Sequence, residues 1–370
     1  MKPKILQVVL DMQYVGEKIV ATLARKLSDE FQVSFCCLDT VGLLGEDLRR
    51  EGFEITALGR RPGLDLRISR MIAALASARK IDILQAHHYT PFFYAALSRY
   101  LHRRPRLVFT EHGRDFPDIV KKPRRIANLL LNLVTNKITS VCEHSKKALA
   151  EKDGFPSRKI HVIYNGIEPV TDQDLVPTAS HQPILEWIGE GAKPLGFLAR
   201  LDWIKNPELL LDAFTLATRH VPRARLIVMG RGDRIPEFQD RCRRSDIQDR
   251  VLFTGLVKKP LPIVAKLCAL VVTSRSEAAS LSILEAMMCG VPVIASDVGG
   301  NPELVRHGVT GLLAPSEDAQ AFADHMVSLL ENPAFARKLG ASAREEAMKR
   351  FSVDTMVAEF RKLYLGLLES

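Results

Sequence analysis

The sequence contains no run approaching the 18 or more consecutive apolar residues of a membrane-spanning helix, which excludes a polytopic membrane protein. Its first residues, MKPKILQVVLD, read as a strand and lack the cleavage region of a signal peptide, so a cytoplasmic protein is expected. The six cysteines, at 36, 37, 142, 242, 268 and 289, show no metal-ligand spacing, and most fall in apolar segments. They read as reduced core residues, and no metal is expected. No aromatic residues interleave with the basic clusters and no nucleic-acid-binding module accompanies them, so nucleic acid is not an expected partner. There is no short-period repeat. What is present is an ordinary globular composition, 46% apolar and 26% charged over 370 residues, enough for about two domains with a core each.

The net charge of +9 is unevenly shared. Residues 1–170 carry 28 Lys and Arg against 18 Asp and Glu, whereas 171–370 carry 24 against 25. The excess gathers at Arg60-Arg61, at Arg99 with Arg103, Arg104 and Arg106, and at Lys121-Lys122 with Arg124-Arg125. The last cluster opens an apolar helix, IANLLLNLV, at 126–134. A basic helix start followed by leucine-rich faces suits an anionic membrane surface or an anionic acceptor; it also suits a core helix with a solvated basic end.

Short apolar strands alternate with helical stretches along the whole chain, which argues for parallel, doubly wound sheets. Strands are expected at 4–10, 32–38, 54–58, 82–86, 107–110, 137–141 and 161–163, and again at 195–199, 225–229, 251–254, 269–273 and 291–295. Residues 168–193 lose periodicity and gather Pro, Asp, Thr and Gln, which reads as a linker. The tail from 318 to 368 reads as two or three helices. The chain therefore divides into 1–170, 171–352 and a last helical segment at 353–370.

The stretch 274–304, SRSEAASLSILEAMMCGVPVIASDVGGNPEL, is the most informative. A strand ends before it, a loop carries Glu277, and a helix from about Ser280 places Glu285 roughly one turn in. After a Gly290-Val291-Pro292 stop comes another strand, then Gly299-Gly300, then Asn301-Pro302-Glu303, which reads as N-cap, first-turn proline and acidic first turn. Strand ends, helix N-termini and bare glycine amides at one sheet edge suit a phosphate-bearing ligand. Taken singly, Glu277 and Glu285 could equally be solvated carboxylates.

The whole string, however, resembles the signature of the retaining glycosyltransferases of family 4: two Glu separated by seven residues, then E-A-M-x-x-G-x-P-V-I-A-S-x-x-G-G-x-x-E. The resemblance extends to A-R-L-D-W-I-K-N at 199–206, to Gly230-Arg231-Gly232-Asp233, to V-L-F-T-G-L at 251–256, and to His112 in V-F-T-E-H-G. It implies a GT-B fold: α/β, two Rossmann-like doubly wound domains facing across a cleft, with the last helix crossing back to the first domain. The second domain then binds a nucleotide diphosphate sugar. In that account Glu285 holds the ribose hydroxyls and Glu277 a hydroxyl of the donor sugar near the reacting carbon. Arg200 and Lys205 stabilise the departing diphosphate without a metal, since two fixed cations beside a helix N-terminus can carry that charge. Gly230, the Ser280-Leu281 amides and the Gly299-Gly300 pair line the nucleotide or sugar. Members often read E-G-F-G-L where this chain has Glu277-Ala278-Ala279-Ser280-Leu281, so the backbone there must adopt conformations open to Ala and Ser.

The first domain is implied to serve the acceptor. Family members usually carry Gly-Gly after the first strand; this chain has Gly16 alone, carried over as a donor contact. His112 is expected at the reaction centre, His87 and His88 as residues lining the acceptor side, and Asn165-Gly166 on the hinge side of the cleft. The implied activity is retaining transfer of a sugar to a hydroxyl of a glycan or lipid-linked acceptor, with no cofactor beyond the donor; the basic charge of the first domain suits an anionic membrane surface as a further partner. The acceptor would attack from the face of the leaving diphosphate, so no separate base is required. A soluble sugar or sugar-phosphate acceptor is the alternative within the class. A nucleotide-sugar 2-epimerase would not be expected to keep the Glu-x7-Glu string. A silent binding or scaffold protein would be expected to have lost Arg200, Lys205 or one of the two Glu, all of which are present.

Overall fold

The computed structural model describes residues 2–13, 17–113 and 122–369. Gly16 and Lys121, both singled out above, lie outside the described residues. The chain divides into two compact units: Met1–Gly166 together with Val353–Ser370, and Ile167–Ser352.

The first unit is built on a seven-stranded sheet, β1 (Lys4–Val9), β2 (Gln32–Cys37), β3 (Glu54–Ala57), β4 (Ile83–His87), β5 (Arg106–Glu111), β6 (Lys137–Ser140) and β7 (Ile160–Val162), in the order β3-β2-β1-β4-β5-β6-β7. The second carries six strands, β8 (Lys193–Leu198), β9 (Ala224–Met229), β10 (Val251–Gly255), β11 (Ala269–Val272), β12 (Val293–Ser296) and β13 (Gly311–Ala314), in the order β10-β9-β8-β11-β12-β13. Every described strand pair is parallel. Parallel sheets are covered on both faces, which is why strands such as KILQVV and ALVV are near-continuous apolar runs instead of alternating ones. Leu6, Val8, Phe92 and Phe109 belong to the first core, and Phe197, Phe214, Leu226 and Phe322 to the second.

Both strand orders reverse once, between β1 and β4 and between β8 and β11. In open α/β sheets the ligand crevice opens outside the carboxyl ends of the strands at such a switch point. His87 ends β4, the 199–206 loop follows β8, and the loop bearing Glu277 follows β11. The topology thus places candidate residues at the switch point of each sheet.

The last helix, Val353–Leu368, packs within the first unit. Tyr364 is fully buried, with its ring 5.7 Å from Phe31 in an edge contact, and Arg361 Nε lies 2.6 Å from Glu30 Oε2. The Gly166 amide donates to Met356 Sδ at 3.2 Å, tying the Asn165-Gly166 turn to that helix. The tail contains three helices, Ala319–Glu331, Pro333–Arg350 and Val353–Leu368.

Two local expectations are corrected. Residues 168–193 are not structureless: they hold two 3-10 turns and the helix Gln182–Ile188, which buries Ile184 and Ile188. The helix is too short for periodicity to show among the surrounding Pro and Gln. Asn301 is not an N-cap. Gly300 holds that position of the four-residue helix Asn301–Leu304, and the buried Asn301 side chain instead donates to the Ser296 carbonyl at 3.0 Å.

Candidate active site

In the second unit the loops after β8 and β11 meet through their candidate side chains. Lys205 Nζ lies 2.5 Å from Glu277 Oε1, with the two side chains only 20% and 10% exposed. Ser274 Oγ donates to the same Glu277 oxygen at 3.0 Å. Thr273 Oγ1, at the end of β11, donates to the carbonyls of Lys205 and Asn206 at 3.0 and 2.9 Å, fixing one loop to the other. Asn206 is fully buried in the left-handed conformation and caps the helix Pro207–Thr218, its side chain accepting from the Leu209 amide at 3.3 Å. Its αL geometry turns the chain sharply from the Lys205 loop into that helix. Arg200 is turned elsewhere: its guanidinium pairs with Asp202 at 2.8 Å and is 62% exposed.

The glycines of the site have structural reasons. A Cβ on Gly299, at φ +57°, would sit 1.9 Å from the Glu277 carbonyl oxygen, and one on Gly230 would sit 1.8 Å from the Ala199 carbonyl oxygen. Gly299 therefore lets its turn press against the backbone of Glu277, and Gly230 lets the loop after β9 lie against the Arg200 loop. The Gly300 amide does not stand bare for a phosphate; it donates to the Glu277 carbonyl at 3.1 Å. Ala278, Ala279 and Ser280 all keep negative φ, so the missing glycines are not needed. Ser280 precedes the helix Leu281–Met288 without capping it, its hydroxyl lying 3.0 Å from that of Ser282. Glu285 is half-buried one turn into this helix. The Cys289 thiol, one turn further, is pushed up to about 12 by burial and then by the Glu285 charge.

In the first unit three histidines converge. His87 Nδ1 is 2.8 Å from His112 Nε2, and His87 Nε2 is 2.7 Å from Gln7 Oε1 on β1. The rings of His87 and His112 stack at 5.1 Å. Since the Gln7 oxygen can only accept, His87 carries its proton on Nε2, and its bare Nδ1 accepts from His112 Nε2–H. His88 adopts φ +65°, a strained value for a bulky residue, at the N-cap of the helix Tyr89–Leu101. Its Nδ1 lies 3.7 Å from the buried Glu111 carboxylate. Burial opposes a charge on His88, but the hydrogen bond and charge of Glu111, with Glu17, outweigh it and raise its pKa. Burial, then the neighbouring histidines, hold His112 well below its ordinary value, and burial with the His88 charge brings His87 down to about 3.

This gives a pH dependence with a definite sign. Unfolded His87 titrates near about 6.5 and folded His87 near about 3, so between these values only the unfolded chain takes up the proton. His87 thus contributes full stability above about 6.5 and loses it as the pH falls, by about 1.4 kcal/mol per pH unit. His112 acts in the same direction; His88, being raised, acts in the opposite one, its contribution fading as the pH rises through its folded value. Denaturant titrations of wild type and His87→Gln should therefore show a stability difference that shifts in favour of wild type between pH 5 and pH 7. A difference independent of pH would contradict a neutral, buried His87.

Several contributors carried no signal of their own in the sequence. Ser274, Thr273 and Asp202, whose Oδ1 accepts from the Lys205 amide at 3.0 Å, belong to ordinary loop composition. Gln7 and Glu111 could be found only by noting polar residues inside apolar strands.

The model for "Glycosyl transferases group 1" matches residues 192–332, and that for "Glycosyltransferase Family 4" matches residues 16–170. The N-acetyl-alpha-D-glucosaminyl L-malate synthase of Bacillus anthracis is 26% identical over 311 residues, covering 83% of this chain and 80% of its own. The GDP-mannose-dependent alpha-(1-6)-phosphatidylinositol monomannoside mannosyltransferase of Mycolicibacterium smegmatis is 26% identical over 275 residues, covering 72% and 71%. Among solved structures, a glycosyltransferase from Rickettsia africae superposes with a TM-score of 0.86 at 19% identity, covering 100% of this chain and 99% of that one. The Anabaena HepE protein in complex with UDP and glucose does so with 0.84 at 22% identity, covering 98% and 100%. The two parallel sheets and this likeness over the full chain are those of the GT-B fold.

Proposed function

The chain belongs to family 4 of the glycosyltransferases, and from that premise we propose that it is a retaining enzyme whose second unit binds a nucleotide diphosphate sugar and whose first unit serves the acceptor. The observation that carries this reading is the Lys205–Glu277 contact at the switch point of the second sheet. A cation and a carboxylate held together there, beside the N-terminus of the Leu281–Met288 helix, suit a donor whose diphosphate becomes more negative as it leaves.

In the proposed reaction the bond from the anomeric carbon to the diphosphate oxygen breaks, and the acceptor oxygen bonds to that carbon from the same face. The acceptor proton passes to the departing diphosphate. Lys205 stabilises the developing charge, with Arg200 as a second cation on the same loop. Glu277 accepts from a sugar hydroxyl and positions the anomeric carbon; Glu285 accepts from the ribose hydroxyls. His112, neutral and with its Nε2–H committed to His87, presents Nδ1 as an acceptor for a hydroxyl. The cations stand in for a metal in this scheme.

The acceptor is proposed to be a glycan or lipid-linked hydroxyl, at the cytoplasmic face of a membrane. The mannosyltransferase relative, named for a phosphatidylinositol-linked acceptor, supports this, as does the apolar surface described next. The Bacillus anthracis relative, named for joining an N-acetylglucosaminyl group to L-malate, is a case of a soluble acceptor, though not of the sugar or sugar phosphate of the alternative reading.

The test is a transfer assay with the α-linked donors UDP-glucose, UDP-N-acetylglucosamine and GDP-mannose, using phosphatidylinositol and simple sugars as acceptors. Proton NMR of the product should show an α anomer. A β anomer would overturn the retaining assignment, and an α product on simple sugars alone would favour the soluble acceptor.

A further inference from the structure

The helix Lys122–Leu131 leaves much of its apolar surface exposed. Ile126, Leu129 and Leu130 follow the i, i+3, i+4 spacing of a single stripe, continued by Leu133 in the turn beyond the helix, yet they are 68%, 64%, 62% and 73% exposed. The inward side carries Leu131, 2% exposed within the first core, beside polar anchors. Asn128 is buried, accepting from the Tyr89 hydroxyl at 2.9 Å and donating to the Asp153 carbonyl at 3.0 Å. The Arg124 guanidinium lies 3.5 Å from the centre of the Tyr89 ring and 3.3 Å from the Asp153 carboxylate. These anchors fix the rotation of the helix, so Ile126, Leu129 and Leu130 cannot turn inward without breaking the Asn128 and Arg124 contacts. The helix thus joins the core through Leu131 and keeps a solvated basic end, while Ile126, Leu129 and Leu130 face solvent. Tyr100, 41% exposed, donates its hydroxyl to the Leu130 carbonyl at 2.7 Å and brings the end of the preceding helix, with the 60%-exposed Leu101, alongside the stripe.

We propose that this face is a docking surface for an anionic lipid bilayer. Lys122 and Arg125 are exposed on the helix itself, and Arg103 and Arg104 are exposed just beyond Leu101. A leucine stripe flanked by cations fits the boundary between acyl chains and anionic headgroups, which rewards both features together. A second copy of this chain fits less well, since a two-fold interface would set the same cations against one another. No described helix is long and apolar enough to cross a membrane, so the attachment is peripheral. Arg124, on the first turn, also lies 3.6 Å from Glu111, next to His112, so a docked helix brings the histidine cluster close to the lipid surface. The inference deepens the lipid-side reading of the acceptor, but its test does not depend on transfer.

The test is co-sedimentation of the full chain with vesicles of phosphatidylcholine alone or mixed with phosphatidylglycerol. The wild type should pellet with the anionic vesicles and be released as salt is raised. Leu129→Ser with Leu133→Ser should lower vesicle affinity by at least about tenfold. Lys122→Glu with Arg125→Glu should abolish the preference for phosphatidylglycerol, and both double variants should keep the wild-type circular dichroism spectrum and unfolding midpoint, which shows them folded. Failure of the wild type to bind anionic vesicles, or undiminished binding by the Leu129→Ser, Leu133→Ser variant, overturns the proposal. So does a concentration-dependent dimer that this variant abolishes, which would make the face a self-interface. Vesicle binding without any sugar transfer would leave docking intact and count against the proposed function alone.

Discussion

Lys205→Ala is expected to lower turnover by about a hundredfold or more, as removal of a single oxyanion-stabilising group commonly does. The lysine is held from both ends: its backbone by Thr273 and Asp202, its ammonium by Glu277, which Ser274 also contacts. Little reorganisation is then needed when charge develops on the leaving diphosphate. Nucleotide affinity should change by no more than about threefold, because the interaction matters most in the transition state. The Lys205→Ala, Glu277→Ala double variant should be little worse than the poorer single one, since residues acting as a unit do not add. Lys205→Arg should not restore activity, because a planar fork does not occupy the place of a point charge. A folded Lys205→Ala protein with wild-type turnover would remove Lys205 from the mechanism.

Glu285→Ala is expected to act on the other half of the donor. A carboxylate accepting from ribose hydroxyls contributes about 1.5–3 kcal/mol, so nucleotide affinity should fall roughly tenfold to a hundredfold. The neighbours of Glu285 on the helix, Leu284 and Ala286, are buried, and so is Met288 at its end, so packing sets the direction of the carboxylate. Glu285→Gln should lose less than the alanine variant, because an amide oxygen still accepts. An alanine variant that bound nucleotide as tightly as wild type would place the ribose elsewhere.

Much of the fold was legible because parallel strands are buried on both faces and announce themselves as short apolar runs: KILQVV, ALVV and VIAS could hardly be anything else. The strand Gly311–Ala314 was missed because four residues opening with glycine give neither length nor β-branched character. The helix Lys122–Leu131 was visible as amphipathic, but not that Ile126, Leu129 and Leu130 face solvent, because that depends on Asn128 meeting Tyr89 and Asp153 from distant segments. At the site, Glu277, Glu285, Arg200 and Lys205 were legible as a spaced string. The meeting of two of them was not: Lys205 and Glu277 are 72 residues apart, and only the reversal of strand order between β8 and β11 makes them neighbours. The same holds for Gln7 and His87, 80 residues apart on adjacent strands. The glycine pair at 299–300 was legible as important but for the wrong atoms, since the Gly300 amide serves the Glu277 carbonyl.

The most direct test of the donor site is a calorimetric titration of the wild-type protein with UDP, GDP and ADP in the presence of a chelator. The account predicts binding of one nucleotide at 1:1 stoichiometry without metal, weakened in Glu285→Ala and nearly unchanged in Lys205→Ala. No binding of any of the three, or binding that the chelator abolishes, would contradict it.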